Sequence, residues 1–190
     1  RYTSGITPAT GGRSQFDLTR DPNNPTSTFR LAIGEARSQG IEFEVAGAVT
    51  DRLSLIGSYA YLDTEITEDG TRVAAGNLSR LGKRLANAQR QAGSLWGTYA
   101  LSDRFKVGAG VVVVGERQGD FENTYQLPGY ARVDAMAAYT WKLGGSRLTA
   151  QLNINNLLDK EHFTHTGESR LNGAFPGEPL TVIGALRLEY

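Results

Sequence analysis

The chain contains only two histidines, His162 and His165, which lie three residues apart. Two imidazoles at this spacing could bind a metal ion if a helix or a turn aligned them. Both fall in a long polar stretch, however, and an exposed loop explains them more simply. We therefore predict no metal site and expect both histidines to be exposed.

Other residues that could take part in catalysis or ligand binding are also better explained by structural roles. Glu42 and Glu44 could act as a paired acid and base, but they share the polar face of a predicted strand, which favours contact with water or with another domain. Gly108 and Gly110 lie inside a predicted strand rather than at a strand-to-helix turn, so they do not indicate a phosphate-binding loop. No Ser, His and acid define a triad, and cysteine is absent. We therefore predict that the chain is not an enzyme.

Composition argues against nucleic acid as a partner and favours strands. Twenty basic and twenty acidic residues cancel, so no net field attracts a polyanion. Twenty-three glycines, eight tyrosines and seven phenylalanines against one methionine favour strands and turns over helices. No linker divides the 190 residues, so we predict one structural unit. The chain begins at Arg1 without a signal peptide, and we expect it to be a piece of a longer protein.

The strand prediction rests on a strict alternation of apolar and polar side chains. Leu148, Ala150, Leu152 and Ile154 fall on one face of an extended segment, and the polar residues between them fall on the other. In a second such segment Trp96 is the exception, since it falls on the polar face. The pattern recurs in segments that begin at Ile41, Leu53, Leu95, Phe105, Val133 and Val182.

The connections between these segments alternate between short and long. Three are tight turns that suit antiparallel hairpins, at about residues 50–52, 102–104 and 142–146. Three are long and polar, at about residues 67–90, 118–129 and 159–177. A further strand at residues 15–20 brings the predicted total to about eight antiparallel up-and-down strands, with the long connections at one rim.

Strand length decides between two all-β folds. Strands of a soluble β-sandwich run about 5 to 6 residues. Those predicted here run about 10 to 14, close to the ~9 to 11 that a tilted strand needs to cross a membrane. Aromatic residues near strand ends on the apolar face suit the interfacial girdle of a membrane barrel: Tyr59, Tyr61, Tyr99, Tyr139, Trp141 and Tyr190. We predict a transmembrane β-barrel, with the sandwich as the alternative.

Several short motifs resemble those of one protein family. The segment from Asn153 to Phe163, NINNLLDKEHF, resembles the penultimate-strand motif of TonB-dependent outer-membrane receptors. The segment from Gly34 to Glu44, GEARSQGIEFE, resembles a strand entry in the ferric-siderophore branch of that family. Further matches follow the family's order along residues 15–190: Tyr59–Asp63, Gly82–Leu85 before Ser94–Trp96, and Gly177–Pro179.

The resemblance implies both a fold and a function. Residues 1–190 would form the C-terminal portion of a TonB-dependent receptor β-barrel in the bacterial cell outer membrane, an open curved sheet if isolated. The plug domain and the TonB box, which contacts the inner-membrane energy-transducing complex, would lie outside these residues. The implied function is import of ferric-siderophore complexes. Because these are transported ligands, we expect no resident cofactor.

The implied partners are outer-membrane lipid, the receptor's own plug domain, the energy-transducing complex and the barrel-assembly machinery. The candidate cargo contacts are aromatic and charged loop residues, which suit an anionic or aryl-bearing chelate: Phe121, Tyr125, His162, Phe163, His165, Arg170 and Phe175. The candidate plug-facing wall consists of polar strand residues: Glu42, Glu44, Arg132, Asp134, Gln151, Asn153, Asn155 and Arg187. The candidate assembly signal is the terminal apolar alternation Leu186, Leu188 and Tyr190, where the family often ends in phenylalanine.

Two other functions remain open at this point. The chain could be a complete eight-stranded outer-membrane barrel with a structural or adhesion role, since side chains just fill a barrel of about that size. It could also be a barrel enzyme, such as a lipase or a protease, with its active residues at the long-loop rim. An activity that depends on His162 or His165 would be required of such an enzyme.

Overall fold

The computed structural model describes the backbone of residues 3–21, 24–69, 78–167 and 173–190, and the side chains of those from residue 35 onwards. Nowhere in these ranges does a helix have the length and the apolar character that crossing a membrane would take. The strands are β1 (Thr3–Asp21), β2 (Asn24–Ala48), β3 (Leu53–Glu68), β4 (Gln91–Ala100), β5 (Phe105–Val114), β6 (Arg117–Gln118), β7 (Gln126–Leu127), β8 (Tyr130–Leu143), β9 (Ser146–Asn155), β10 (Phe163–Thr166), β11 (Ala174–Pro176) and β12 (Thr181–Glu189).

The long strands form one eight-stranded sheet in the order β1-β2-β3-β4-β5-β8-β9-β12. Every neighbouring pair in it is antiparallel. The prediction of about eight antiparallel up-and-down strands is therefore confirmed. Within the described ranges β1 and β12 stand at the two ends of this order, so the sheet is open rather than closed into a small barrel.

The two N-terminal strands are longer than the sequence predicts. The predicted strand at residues 15–20 has the wrong start, because β1 begins at Thr3, and β2 begins at Asn24, well before Ile41. Residues 3–14 contain few apolar residues and so give no two-residue period. The β1–β2 ladder does not need such a period, since backbone N–H and C=O groups make it.

The connections gather at two different rims, as the sequence predicts. Short turns join β2 to β3, β4 to β5, and β8 to β9. Long connections join β3 to β4, β5 to β8, and β9 to β12 at the opposite rim. Two of the long connections contain small hairpins, β6–β7 and β10–β11, which the sequence analysis missed. Strands of two to four residues are too short to show a period.

The register gives the sheet one apolar and one polar face. Residues directly opposite each other on antiparallel strands point to the same side. One row across β2 to β5 carries Phe43, Tyr59, Gly93 and Val113. The next row, on the other side, carries Glu44, Ser58, Ser94, Val112 and Arg132. The predicted apolar face of β9 is confirmed, because Leu148 pairs with Trp141 and Ala150 pairs with Tyr139.

The apolar face has no protein layer packed on it. Among the described side chains, the buried hydrophobic ones are only Ala36, Ile66, Leu127 and Ala138. Large apolar residues of the sheet are exposed instead, including Ile41, Leu95, Leu152 and Leu186. A sandwich would bury the inner faces of two sheets, so the sandwich alternative is wrong. An apolar face of this size needs lipid around it.

Trp96 lies on the polar face, as predicted, and packs on two glycines of β5. Its Nε1 donates a hydrogen bond to Thr98 Oγ1 at 3.0 Å. A Cβ added to Gly108 would lie 2.8 Å from a Trp96 ring carbon, and one added to Gly110 would lie 2.8 Å from Leu95 O and still closer to the indole. The absence of side chains at these two positions therefore makes room for the indole.

We expect Gly110→Ala to displace Trp96 and to lower the free energy of unfolding by about 1–3 kcal/mol, because overpacking forces side chains away from their preferred rotamers. Urea unfolding of the detergent-solubilised protein, followed by Trp fluorescence, measures both changes. Gly184→Ala in β12 is the matched control, because nothing lies within 4 Å of a Cβ there. Equal unfolding midpoints for the two variants would contradict this packing account.

Candidate functional site

The three long connections meet at one rim and are bonded to one another. They are called here loop A (residues 69–90), loop B (115–129) and loop C (156–180), and the statements below concern their described parts. Asn87 of loop A accepts a hydrogen bond from Thr166 N through its Oδ1 at 2.8 Å, and its Nδ2 donates to Thr166 O at 3.0 Å. Its backbone N–H donates to Gln118 O at 2.8 Å. One asparagine thus joins all three loops.

The backbone of Asn87 suits this role. Its φ of 59° is left-handed, a conformation that asparagine tolerates better than most residues. On the other side of the junction, Thr166 is buried, and its hydroxyl donates to Gly119 O. Thr166 therefore attaches the contact between loops A and C to loop B as well.

Arg117 of loop B is the most buried charged residue among the described side chains, with 2% of it exposed. Its guanidinium donates to Phe163 O in loop C and lies 5.9 Å from the centre of the Tyr130 ring. Burial lowers the pKa of Arg117, and Tyr130 acts in the opposite direction. Its Nε and Nη1 have no hydrogen-bond partner among the described residues, so this cation is held by few contacts.

Loops A and B are also joined by charge and by backbone capping. Arg80 Nε donates to Glu122 Oε1 at 2.6 Å, and the Arg80 guanidinium lies 5.0 Å from the centre of the Phe121 ring. Asn123 accepts from Arg84 N at 2.8 Å and donates to Arg84 O at 2.9 Å. These contacts place the Phe121 ring and the Arg80 guanidinium at the junction of the two loops.

The base of loop C is clamped by the motif that ends β9. Asn156 is fully buried, and its Nδ2 donates to Glu178 O at 2.9 Å and to Lys160 O at 3.1 Å. Its Oδ1 accepts from Lys160 N at 2.9 Å, and its own N–H donates to Asp134 at 2.8 Å. Asp159 accepts from Leu180 N at 2.9 Å. The two ends of loop C are therefore held together where the loop leaves the sheet.

His162, one of the candidate cargo residues, has different surroundings from those expected. The expectation that His162 is exposed is wrong, since only 8% of it is exposed. The centroid of its ring lies 4.2 Å from the centroid of the Tyr130 ring, and its Nδ1 lies 2.8 Å from Lys160 O. Gly177 makes this possible, because a Cβ there would clash with the imidazole. Tyr125 packs in a similar way on Gly119.

Three other candidates form an exposed aromatic surface, whereas Phe121 is half-buried beside the Arg80 guanidinium. His165 is exposed, and its ring stacks on Phe175 with 4.3 Å between the centroids and 8° between the planes. Phe163 and Phe175 are also exposed. Tyr130, His162 and Phe163 line an adjacent cavity of about 500 Å³. Arg170 lies outside the described residues, and the cargo role of the whole group stays a prediction.

The described residues contain no cluster of three or more His, Cys, Asp or Glu side chains placed to hold a metal ion. The contacts described above give the rim hydrogen bonds, aromatic faces and guanidinium groups. This chemistry can bind a large ligand.

The eight candidate wall residues all lie on the polar face. Direct pairings place Glu42 beside Ala60, Asn153 beside Met136 and Gln151 beside Ala138 on that side. Arg132 and Asp134 form an ion pair at 2.9 Å, and Gln151 donates to Asn153 at 2.7 Å. Asn155 pairs with Thr181, and Arg187 pairs with Thr149. These pairings place Asn155 and Arg187 on the polar face as well. Their contact with a plug domain stays a prediction.

The candidate assembly signal lies on the apolar face. Leu188 pairs with Leu148, and Leu186 pairs with Ala150. Leu186, Leu188 and Tyr190 are all exposed. They continue the apolar face to the last residue of the chain, and their recognition by the assembly machinery stays a prediction.

Comparison with known proteins identifies the family. The β-barrel model of TonB-dependent receptor-like proteins matches residues 3–157. The metal-pseudopaline receptor CntO of Pseudomonas aeruginosa is 38% identical over 180 residues, covering 91% of this chain and 23% of the relative. The probable TonB-dependent siderophore receptor PiuA of Acinetobacter baumannii is 36% identical over 182 residues, covering 94% and 24%. The chain thus spans about a quarter of the length of these relatives.

Solved structures give the same answer for the fold. The crystal structure of PiuA from Acinetobacter baumannii superposes with a TM-score of 0.75 and 29% identity, over 99% of this chain and 26% of that one. The ferric-catecholate import receptor Fiu of Escherichia coli superposes in its closed form with a TM-score of 0.71 and 22% identity, over 100% and 25%. The chain therefore belongs to the TonB-dependent receptor family and forms part of its outer-membrane β-barrel.

Proposed function

We propose that the chain is the C-terminal barrel part of an outer-membrane transporter that imports ferric-siderophore complexes. The observation that carries this proposal is the rim, where three loops are bonded into one unit above the polar face of the sheet. A rim fixed in this way can hold aromatic and cationic groups in place for a bulky chelate. The names of the relatives, which include siderophore and metal-pseudopaline receptors, support the same class of cargo.

The proposal assigns different partners to the two faces. Lipid surrounds the apolar face, and a plug domain from another part of the receptor meets the polar wall. The inner-membrane energy-transducing complex acts through that other part, and the barrel-assembly machinery reads the terminal alternation of Leu186, Leu188 and Tyr190. The ferric siderophore is cargo, so the chain needs neither a resident cofactor nor a catalytic group.

The alternative functions fit the geometry less well. A complete eight-stranded barrel needs its first and last strands paired, whereas β1 and β12 lie at opposite ends of the described sheet. A rim enzyme that depends on His162 would need this residue to reach a substrate, whereas it is buried against Tyr130. The family, moreover, consists of transport receptors.

Uptake by the intact receptor tests the proposal. The complete receptor that contains this chain would be expressed in a strain that lacks its other siderophore receptors. Cells would then be given radioactive iron bound to hydroxamate, catecholate or carboxylate siderophores. We expect the cells to take up at least one of these classes. We also expect this uptake to depend on the energy-transducing complex. Absence of uptake for every class, with the receptor present in the outer membrane, would overturn the proposal.

Phe175 provides a finer test of the aromatic surface. We expect Phe175→Ala to lower uptake at limiting cargo concentration by about two- to tenfold, since a ring contact contributes ~0.5–1.5 kcal/mol. Phe105→Ala is the matched control, because Phe105 begins β5 at the short-turn rim and contacts Tyr139 there. Equal uptake by the two variants would remove Phe175 from the cargo site.

A further inference from the structure

A cavity of about 500 Å³ lies at the base of loop C. Two stretches of loop C line it, residues 159–163 and 176–179, and the end of loop B closes it at residues 128–130. The Tyr130 side chain points to the polar face of the sheet, as Arg132 does two residues later in β8. This wall of the cavity therefore belongs to the polar side of the sheet and not to the lipid side.

The cavity is continuous with the exposed aromatic surface of the rim. Phe163 and Pro176 pair with each other in the β10–β11 hairpin, and both line the cavity. The next pair in that hairpin, His165 and Phe175, is the stacked pair of the aromatic surface. A ligand that lies on this surface can therefore extend a side arm into the cavity.

His162 supplies an unused hydrogen-bond acceptor at the cavity. It lines the cavity although only 8% of it is exposed. Its Nδ1 lies 2.8 Å from Lys160 O, and because a carbonyl only accepts, the ring proton lies on Nδ1 and Nε2 keeps its lone pair. Nε2 has no hydrogen-bond partner among the described residues, and it lies beside Gly177, which also lines the cavity. A donor group on a ligand would satisfy this nitrogen.

Carboxylates outnumber cations around the cavity. Asp159, Glu161 and Glu178 line it, whereas Lys160 is the one cation in the described part of the lining. The Asp159 carboxylate already accepts a hydrogen bond from the backbone of loop C. Glu161 and Glu178 are exposed, and neither forms an ion pair with a described residue. Two carboxylates are therefore available to balance the charge of a cation.

Aromatic rings complete the lining. The Tyr130 ring is already in contact with the His162 ring and with the Arg117 guanidinium. Arg117 also holds Phe163 through its carbonyl, but it is not among the described residues that line the cavity. The Phe163 ring is 41% exposed and so remains available to a ligand. The face of such a ring attracts a cation.

We propose that the cavity binds a protonated amine on a side arm of the cargo. The ammonium group donates a hydrogen bond to His162 Nε2, the carboxylates of Glu161 and Glu178 balance its charge, and the Phe163 ring packs against it. An anionic arm would be repelled by the carboxylates, and an apolar arm would leave Nε2 without a donor. This inference rests on the proposed function and deepens it, because it names the class of cargo as a chelate with a cationic arm.

Two small probes test the site without any transport step. Tyramine is a phenol with an aminoethyl arm that is protonated at neutral pH, and N-acetyltyramine is its neutral derivative. Binding of each probe to the purified intact receptor would be measured by saturation-transfer NMR, with empty detergent micelles as the blank. We expect tyramine to bind about tenfold more tightly than N-acetyltyramine. The double variant Glu161→Gln/Glu178→Gln should remove this difference.

The double variant Glu35→Gln/Glu68→Gln is the matched control. Glu35 and Glu68 are exposed, pair directly with each other at the same rim, and do not line the cavity. Their replacement removes the same charge from the rim, and the preference for tyramine should remain about tenfold. His162→Phe keeps a ring beside Tyr130 but removes the Nε2 acceptor, so it should weaken tyramine binding by about fivefold. If His162→Phe prevents folding, the exposed glutamates still test the site.

The cargo that the uptake experiment identifies tests the link between the cavity and transport. Its uptake would be compared with that of the same chelate after acetylation of its amine. We expect acetylation to lower uptake at limiting concentration by about tenfold in the unchanged receptor. Acetylation should make no difference in Glu161→Gln/Glu178→Gln, because the charge that favours the amine is gone.

Any of three results would overturn this proposal. Equal binding of the two probes to the unchanged receptor would show that the cavity does not select a cation. Loss of the preference in Glu35→Gln/Glu68→Gln would show that tyramine responds to the overall charge of the rim. A cargo without an amine, or one whose uptake is unaffected by acetylation, would separate the cavity from transport. Absence of uptake for every siderophore class would instead overturn the proposed function, while the binding of tyramine would still show the cation site.

Discussion

Asn156→Ala should release the base of loop C and lower the free energy of unfolding by about 3 kcal/mol. The substitution removes three side-chain hydrogen bonds, each contributing ~1 kcal/mol, from a side chain that is fully buried. It also places alanine at a φ of 53°, where residues other than glycine and asparagine are disfavoured by ~1 kcal/mol or more. Urea unfolding of the detergent-solubilised receptor measures the loss.

Neighbouring variants separate the two causes of this loss. Asn156→Gly removes the amide but tolerates the positive φ, so it should recover about 1 kcal/mol relative to Asn156→Ala. Asn155→Ala, one residue earlier and within β9, should remain within about 0.5 kcal/mol of the unchanged protein. Limited proteolysis should cut loop C in the two Asn156 variants only. Resistance to cleavage in Asn156→Ala would contradict the clamp.

The sheet was predictable because its signal repeats within a few residues. Leu148, Ala150 and Leu152 show their shared face by alternation alone, and the pairing with β8 puts them on the apolar side. β1 gave no such signal, since its ladder with β2 depends on backbone groups that every residue carries. Alternation thus reveals strands that have one apolar face, whereas a strand with few apolar residues leaves no trace in the pattern.

The contacts of the rim could not be predicted in the same way, because they join residues far apart in the sequence. Asn87 and Thr166 are 79 positions apart, and Arg117 and Phe163 are 46 apart. A polar loop predicts exposure for each of its residues, yet His162 is buried once loop C folds back on Tyr130. The NINNLLD motif located the base of loop C, but it did not reveal which asparagine clamps it.

The second large effect is expected at Arg117. Arg117→Ala should lower the free energy of unfolding by about 3 kcal/mol, because it opens a cavity beside Tyr130 and leaves Phe163 O without its donor. The hairpin of β10 and β11, which carries His165 and Phe175, then keeps only the hydrogen bond from Thr166 to Gly119 O as a described side-chain bond to loop B. Urea unfolding measures the stability, and radioactive iron uptake measures the consequence for the proposed cargo surface.

Arg117→Met separates packing from hydrogen bonding at this position. Methionine fills much of the same volume and removes a buried cation that leaves Nε and Nη1 without partners among the described residues. Replacing such a charge by an apolar group is often neutral for stability, so the unfolding free energy should stay within about 1 kcal/mol of the unchanged protein. Uptake should still fall by about tenfold, because Phe163 O remains without a donor. Normal uptake by Arg117→Met would show that Arg117 supports folding alone, whereas lost uptake with retained stability would make it a positioning residue for the aromatic surface.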